Sequence, residues 1–275
     1  MLAAALALSA SFVWGVIDFV GGTLARRHPV ATIALLGHAT GLVALAVAAA
    51  FVGVHQRALL FGLVAGTFGG IAVFSFYKAM SLGTMSIVSP LLSLGSVLAF
   101  ALAVLGGERP APVSLLGALL AFGGMVLASL EEHASGGFRR SALAWALAAL
   151  LALGFYLYLL GRAANEGGSV SAVFGSRSTS ALLLLALALG LRSDFAIGRS
   201  ALLVVSLLGL ATSGALLLFG FAAELGLISI ASILASLYPI VTVLLDHRFL
   251  GERLRGAQLA GVSLALLGVV LVAAG

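Results

Sequence analysis

The chain has no cysteine, so it can form no disulfide and no thiolate metal site, and cysteine usage says nothing about its redox compartment. Charge is nearly as scarce. Only 8% of the 275 residues are Asp, Glu, Lys or Arg, against about 25% in ordinary soluble domains. With 62% of residues apolar, too few polar groups exist to cover a water-exposed surface, and the composition is that of an integral membrane protein. The net charge of +5 does not indicate a nucleic-acid partner. The basic residues stand singly at the ends of apolar runs, with no patch or stripe, where they set membrane topology. A phosphate-loop motif is also missing, so ATP is not the direct energy source within this chain. His38 is the sole histidine well inside an apolar run. No second His or carboxylate stands at metal-ligand spacing from it, so it is expected to hydrogen-bond a neighbour, and no metal or cofactor is expected.

What the chain does have is long apolar segments. Polar or glycine-marked breaks divide it into ten, at 2–24, 30–52, 58–79, 85–105, 113–130, 141–160, 169–191, 200–223, 228–249 and 255–273. A helix needs about 20 such residues to cross the hydrocarbon core. The runs are continuously apolar and do not alternate every second residue, which excludes a β-barrel. The first lacks the basic leader and cleavage site of a signal peptide and is expected to remain as a membrane helix. The one obvious linker, 131–140, separates a first unit at 1–130 from a second at 141–275.

Those units are copies of one another. Gly107-Glu108-Arg109 returns as Gly251-Glu252-Arg253, 144 positions later, and the same offset carries Gly117 onto Gly261 and Gly124 onto Gly268. Upstream the match loosens, because Leu82-Gly83 and Leu225-Gly226 need a one-residue shift. A repeat whose period is half the protein means two copies of one membrane unit, not a solenoid. Five spans per copy is an odd number, so the second copy must enter the bilayer from the opposite side. The expected fold is therefore all-α, with ten transmembrane helices arranged as two inverted five-helix repeats. One side would hold Arg57, Arg109 and Arg162, the other Arg26, Arg27, Lys78, Arg139, Arg140, Arg192, Arg199, Arg248, Arg253 and Arg255. The basic-rich side belongs in the cytoplasm, which leaves both termini outside.

Charges inside the spans stand out, since one at the bilayer centre costs about 2.5–3.5 kcal/mol on insertion scales and ordinarily has a partner or a task. Arg177 lies mid-way along the seventh run among Ser176, Ser178 and Ser180. It reads either as a guanidinium facing a cavity, gripping a carboxylate or phosphate through two donors, or as half of a structural salt bridge. Asp18, one turn after Trp14 and on its face, is a candidate proton carrier, though it lies near the interface and Arg26. Lys78 and Glu224 occupy similar places in the two halves and read either as a gate or as separate interfacial anchors. Trp14, Tyr77, Phe155, Tyr156 and Tyr238, with Phe74 and Phe219, could stack on an organic solute or pack the core. In the two Gly-Glu-Arg turns the glycine closes a helix and the carboxylate favours the N-terminus of the helix that follows, a structural role. Pro90 and Pro239 interrupt two helices and free carbonyls that a neighbour or a cavity must meet. Stripes at Gly117/Gly124 and Gly261/Gly268 suit close helix packing or a dimer contact, so the unit is expected to be a monomer or homodimer.

Trp14-Gly15, Tyr238-Pro239, the run Phe249-Leu250-Gly251-Glu252-Arg253 and the continuation Gln258, Gly261 and Gly268, set in a five-plus-five layout, resemble the EamA-type transporters of the drug/metabolite transporter superfamily. The resemblance covers essentially the whole chain and is strongest in the second half. Gly95 stands where the counterpart of Pro239 would be, and the sixth helix has Gly154 without the tryptophan. The resemblance implies an inner-membrane carrier of small organic molecules, often an exporter of amino acids, metabolites or drugs, that works by alternating access. Helices 1 to 4 and 6 to 9 would surround a cavity, with 5 and 10 outside. Two rivals remain. An intramembrane enzyme would need a nucleophile or metal constellation that the sequence does not offer, and a non-transporting lipid-binding subunit would have no central cavity.

Overall fold

Apolar runs become helices because lipid offers no hydrogen bonds to the backbone, and a helix satisfies every N–H and C=O within its own segment. The structure, a computed structural model, describes residues 1–82, 88, 91–128, 140–241, 244–245 and 256–274. Among them are ten helices and no strand: α1 Leu2–Ala25, α2 Val30–Val52, α3 Gln56–Leu82, α4 Gly95–Leu105, α5 Pro112–Ala128, α6 Arg140–Asn165, α7 Ser169–Gly190, α8 Arg199–Leu225, α9 Ile228–Ala235 and α10 Gly256–Ala274. Six of these (α1, α2, α3, α6, α7 and α8) are long and apolar enough to cross a membrane. The protein is thus an all-helical, multi-pass membrane protein.

The shorter helices have local causes. Regular helix stops in α9 at Ala235, turns at Ser236 and Leu237, and resumes to Val241. Pro239 explains the break, since it has no N–H to offer the carbonyl of Ala235 four residues back. Before α4, helix from Leu91 is interrupted at Leu94; Pro90 lies outside the described residues. Between α6 and α7 the chain reverses within a few residues because Gly167 and Gly168 adopt φ of 141° and 118°, a region closed to most side chains.

Small residues let the helix backbones touch, as membrane helices require in the absence of a hydrophobic drive between them. In α5 and α10 the repeat-related glycines meet each other in crossed pairs. A Cβ on Gly117 would come within 2.7 Å of the Gly268 carbonyl oxygen, and one on Gly124 within 2.6 Å of that of Gly261. The two helices therefore run antiparallel about a local twofold axis. Gly62, Gly66 and Gly70 of α3 lie in order against Ala172, Ser176 and Ser180 of α7, so that pair is parallel, as is α2 with α8 through Gly37 and Gly41 against Gly209 and Ser213. The neighbourhood of each helix repeats when the halves are exchanged: α1 packs on α8 and α9 as α6 packs on α3 and α4, and α2 packs on α8 as α7 does on α3. Even a single contact recurs. A Cβ on Gly15 would lie 2.7 Å from the Tyr238 carbonyl oxygen, and one on Gly154 the same 2.7 Å from that of Gly95.

Candidate functional site

Between the halves lies a cavity of about 140 Å³. Eight helical segments line it. Trp14, Ile17, Asp18, Gly21 and Leu24 come from α1, Ile33, Gly37 and His38 from α2, and Gly69, Ala72, Val73, Phe76 and Tyr77 from α3. Leu92 and Ser96 enter from the α4 segment, Leu153, Tyr156 and Leu157 from α6, Arg177 from α7, Val205, Leu208, Gly209, Thr212 and Leu216 from α8, and Tyr238 from the helix that resumes after α9. Among the described residues, neither α5 nor α10 contributes. The lining residues belong to the C-terminal halves of α1 and α3 and the N-terminal parts of α2 and α8, so the cavity runs from mid-depth toward the end where α1 stops and α2 starts.

Arg177 is 2% exposed and sits mid-way along α7. The serines around it do not hold it. Ser176 Oγ donates to Val173 O at 3.0 Å, Ser178 Oγ to Phe174 O at 2.9 Å, and Ser180 Oγ crosses to Gly66 O at 2.7 Å. Nε and Nη2 of Arg177 have no hydrogen-bond partner among the described residues. Beside it, the Tyr156 hydroxyl pairs with Ser176 Oγ at 3.3 Å, and the Tyr156 ring lies against Gly69, where a Cβ would come within 3.0 Å. Tyr77 is set the same way against Gly21, whose Cβ would be 3.1 Å from the hydroxyl. Trp14 is backed by the fully buried Phe219, ring centroids 6.2 Å apart. Glycine thus makes room for an aromatic side chain at two places on the wall.

The structure brings Arg177, Trp14, Tyr77, Tyr156, Tyr238 and Asp18 to one cavity and leaves other sequence candidates elsewhere. Phe155 is one residue from Tyr156, about 100° around the helix, and faces outward, 37% exposed and packed on Phe68 at 5.3 Å. Phe74 meets Trp145 edge-on at 5.8 Å. Lys78 and Glu224, a gate or separate anchors on the sequence, lie apart. The Glu224 carboxylate accepts from Ser169 N–H and Oγ at the start of α7, whereas Lys78 follows Tyr77, which packs on the cluster that holds Leu184 and Ala188 near the end of α7. The length of α7 separates them.

Glu108 corrects another expectation. It does not serve α5, the helix that follows it. Its carboxylate reaches across to the other half, accepting from Ile228 N–H at 2.8 Å and Ser229 N–H at 2.9 Å, the first N–H groups of α9. Gly107 makes the turn at φ 106°, and Arg109 Nη1 donates to the carbonyls of Val104 at 3.3 Å and Glu108 at 3.1 Å. Gly251, Glu252 and Arg253 lie outside the described residues. Sequence reasoning also missed His38 as a wall residue. Its Nδ1 donates to Ala34 O at 3.0 Å, as expected of an isolated histidine, yet it lines the cavity together with Ile33 and Gly37.

No curated protein matches the chain. A solved structure described only as "Crystal structure of protein" superposes with a TM-score of 0.77 over 98% of this chain and 95% of that one, at 21% identity, which is a likeness of fold. The model of the EamA-like transporter family matches residues 1–130 and 140–274, one match to each half. The chain belongs to the EamA-like transporter family.

Proposed function

We propose that this protein is a secondary transporter of a small organic solute, working by alternating access as an exporter in the inner membrane. The observation that carries this reading is the cavity at mid-depth, walled by α1–α4 from one half and α6–α9 from the other. A chamber shared by two related halves can be offered to either side by exchanging their conformations. The four shorter helices complete ten spans, which is supported by helix direction: odd-numbered α3 runs parallel to α7, even-numbered α2 to α8, and α5 against α10. Five spans per half then make the repeats inverted, with both termini outside the cytoplasm on the count of basic residues.

In this reading Arg177, Trp14, Tyr77, Tyr156 and Tyr238 contact the solute, and Asp18, on the same wall, carries the coupling proton. Phe155 is withdrawn from the solute site because it faces outward. Purified protein in proteoliposomes, tested for flux of anionic, neutral and cationic organic solutes with and without an imposed pH gradient, checks it. Saturable flux without ATP, accelerated by the gradient in the native protein but not in Asp18→Asn, is the expected result. Absence of flux for every class would remove the transporter reading, and unchanged gradient dependence in Asp18→Asn would remove Asp18 as the carrier.

A further inference from the structure

We infer that the solute is a monocarboxylate with an apolar or aromatic body, held by the guanidinium of Arg177. This rests on the transporter reading for the solute's movement and on the geometry of the cavity for its class. A guanidinium offers its donors in fixed directions, and Nε–H and Nη2–H point the same way along one edge, spaced to meet both oxygens of a planar carboxylate. Among the described residues, those two atoms of Arg177 are buried without a partner, and Arg177 lines the cavity. Neighbouring hydroxyls that could have met them are directed elsewhere, Ser176 and Ser178 to their own helix and Ser180 to α3. Buried donors of a cation left without partners are costly, and a bound carboxylate lowers that cost.

The remaining wall narrows the class. Among the described residues, the cavity lining contains one Arg, no Lys, one acidic side chain at Asp18, and otherwise mostly apolar and aromatic groups. A dicarboxylate or phosphate ester brings a second negative charge into a low-dielectric space with a single guanidinium and an acid already on the wall, where like charges repel strongly. A monoanion is matched by Arg177 alone. Trp14 and Tyr156, each with a ring against the space, then take the apolar body.

Trp14 also reports binding, because the chain has only two tryptophans and Trp145 packs against Phe74 outside the cavity. In purified Trp145→Phe protein, fluorescence titration compares benzoate and hexanoate with benzamide and hexanamide, and with phthalate, succinate and phenyl phosphate. Monocarboxylates are expected to bind at least about tenfold more tightly than the amides of the same skeleton, as charge-assisted hydrogen bonds allow, and more tightly than the dianions. Arg177→Gln brings the acids down to the affinity of the amides. Arg177→Lys, which keeps the charge and loses the two-donor edge, recovers only part of the preference. Equal binding of acid and amide by the native cavity overturns the inference without recourse to any Arg177 variant, as does preference for a dianion or unchanged acid affinity in folded Arg177→Gln. Flux of neutral or cationic solutes without a carboxylate response removes the class and leaves the transporter. Tight carboxylate binding with no flux of any solute does the reverse.

Discussion

Among the described residues, the helix N-termini at the two ends of the bundle are met by different chemistry. At one end, where α7 and α9 begin, carboxylates from elsewhere in the chain cover the helix N-termini: Glu108 on Ile228 and Ser229, Glu224 on Ser169. Ser171 Oγ accepts from His55 N–H at 3.0 Å beside them. At the other end, α2 begins after Pro29 and α8 after Gly198 with no side-chain cap, and Thr32 Oγ1 in the first turn of α2 donates to Asp194 O at 2.7 Å. Both ends present unsatisfied N–H groups, and among the described residues the carboxylates that answer them lie at the first end. The lining residues of the cavity lie toward the opposite end. The teaching is that a carboxylate on the N-terminus of a distant helix acts as a latch, since it favours one arrangement of two segments and is lost when they part.

Chemical accessibility offers the largest test of this difference. Because the chain has no cysteine, a single introduced thiol reports its own surroundings. Leu24→Cys, on the cavity wall toward the uncapped end, is expected to react with a charged methanethiosulfonate reagent at least about tenfold faster than Ala7→Cys, at a fully buried position toward the latched end, since thiol modification follows access. Equal rates would abolish the distinction between the ends.

Next in size are the latches themselves. Hydrogen bonds to a charged acceptor contribute about 1.5–3 kcal/mol, and about 1.4 kcal/mol is a factor of ten. Half-buried Glu108 makes two such bonds across the halves, so Glu108→Ala is expected to raise the labelling of Ala7→Cys about tenfold. Glu224 is exposed and screened by water, so Glu224→Ala raises it less, about two- to fivefold. If Glu224→Ala matches or exceeds Glu108→Ala, burial is not what sets the strength of the latch.

How much of this was legible in the sequence depends on the range of the interaction concerned. Helices, their approximate limits and the repeat follow from local patterns, because apolar runs and the 144-residue offset of the Gly-Glu-Arg turns need no knowledge of neighbours. Arg177 and Asp18 were readable for the same reason: a charge within an apolar run is visible in isolation. Glu108 was readable only as a carboxylate beside a helix, and the nearest helix was the wrong one. Its partners are 120 and 121 residues away, and no periodicity encodes that pairing. Phe155 and Tyr156 mark another limit. Every face of α6 is apolar, so the usual contrast that tells the buried side of a helix from the exposed one is absent, and adjacent aromatics point to lipid and to the cavity with nothing in the sequence to separate them.

The smallest expected effect comes from building at the uncapped end what the latched end already has. Gly198 precedes α8 with φ −60° and ψ 153°, the extended geometry of an N-cap residue, and a Cβ there would meet nothing within 4 Å. Aspartate at this position can therefore turn its carboxylate onto the first free N–H groups of α8 without displacing a neighbour. Replacing glycine at an N-cap gains only a few tenths of a kcal/mol, and the charge adds about 0.3–1 kcal/mol against the helix dipole. Gly198→Asp is accordingly expected to raise the thermal midpoint in detergent by about 1–3 °C. Since this cap joins α8 only to its own loop, it should leave the ratio of Leu24→Cys to Ala7→Cys labelling within about twofold, unlike Glu108→Ala. A fall in midpoint, or a shift in that ratio as large as the one produced at Glu108, would mean that capping charge moves the bundle wherever it is placed, and that bridging two halves is not what gives Glu108 its effect.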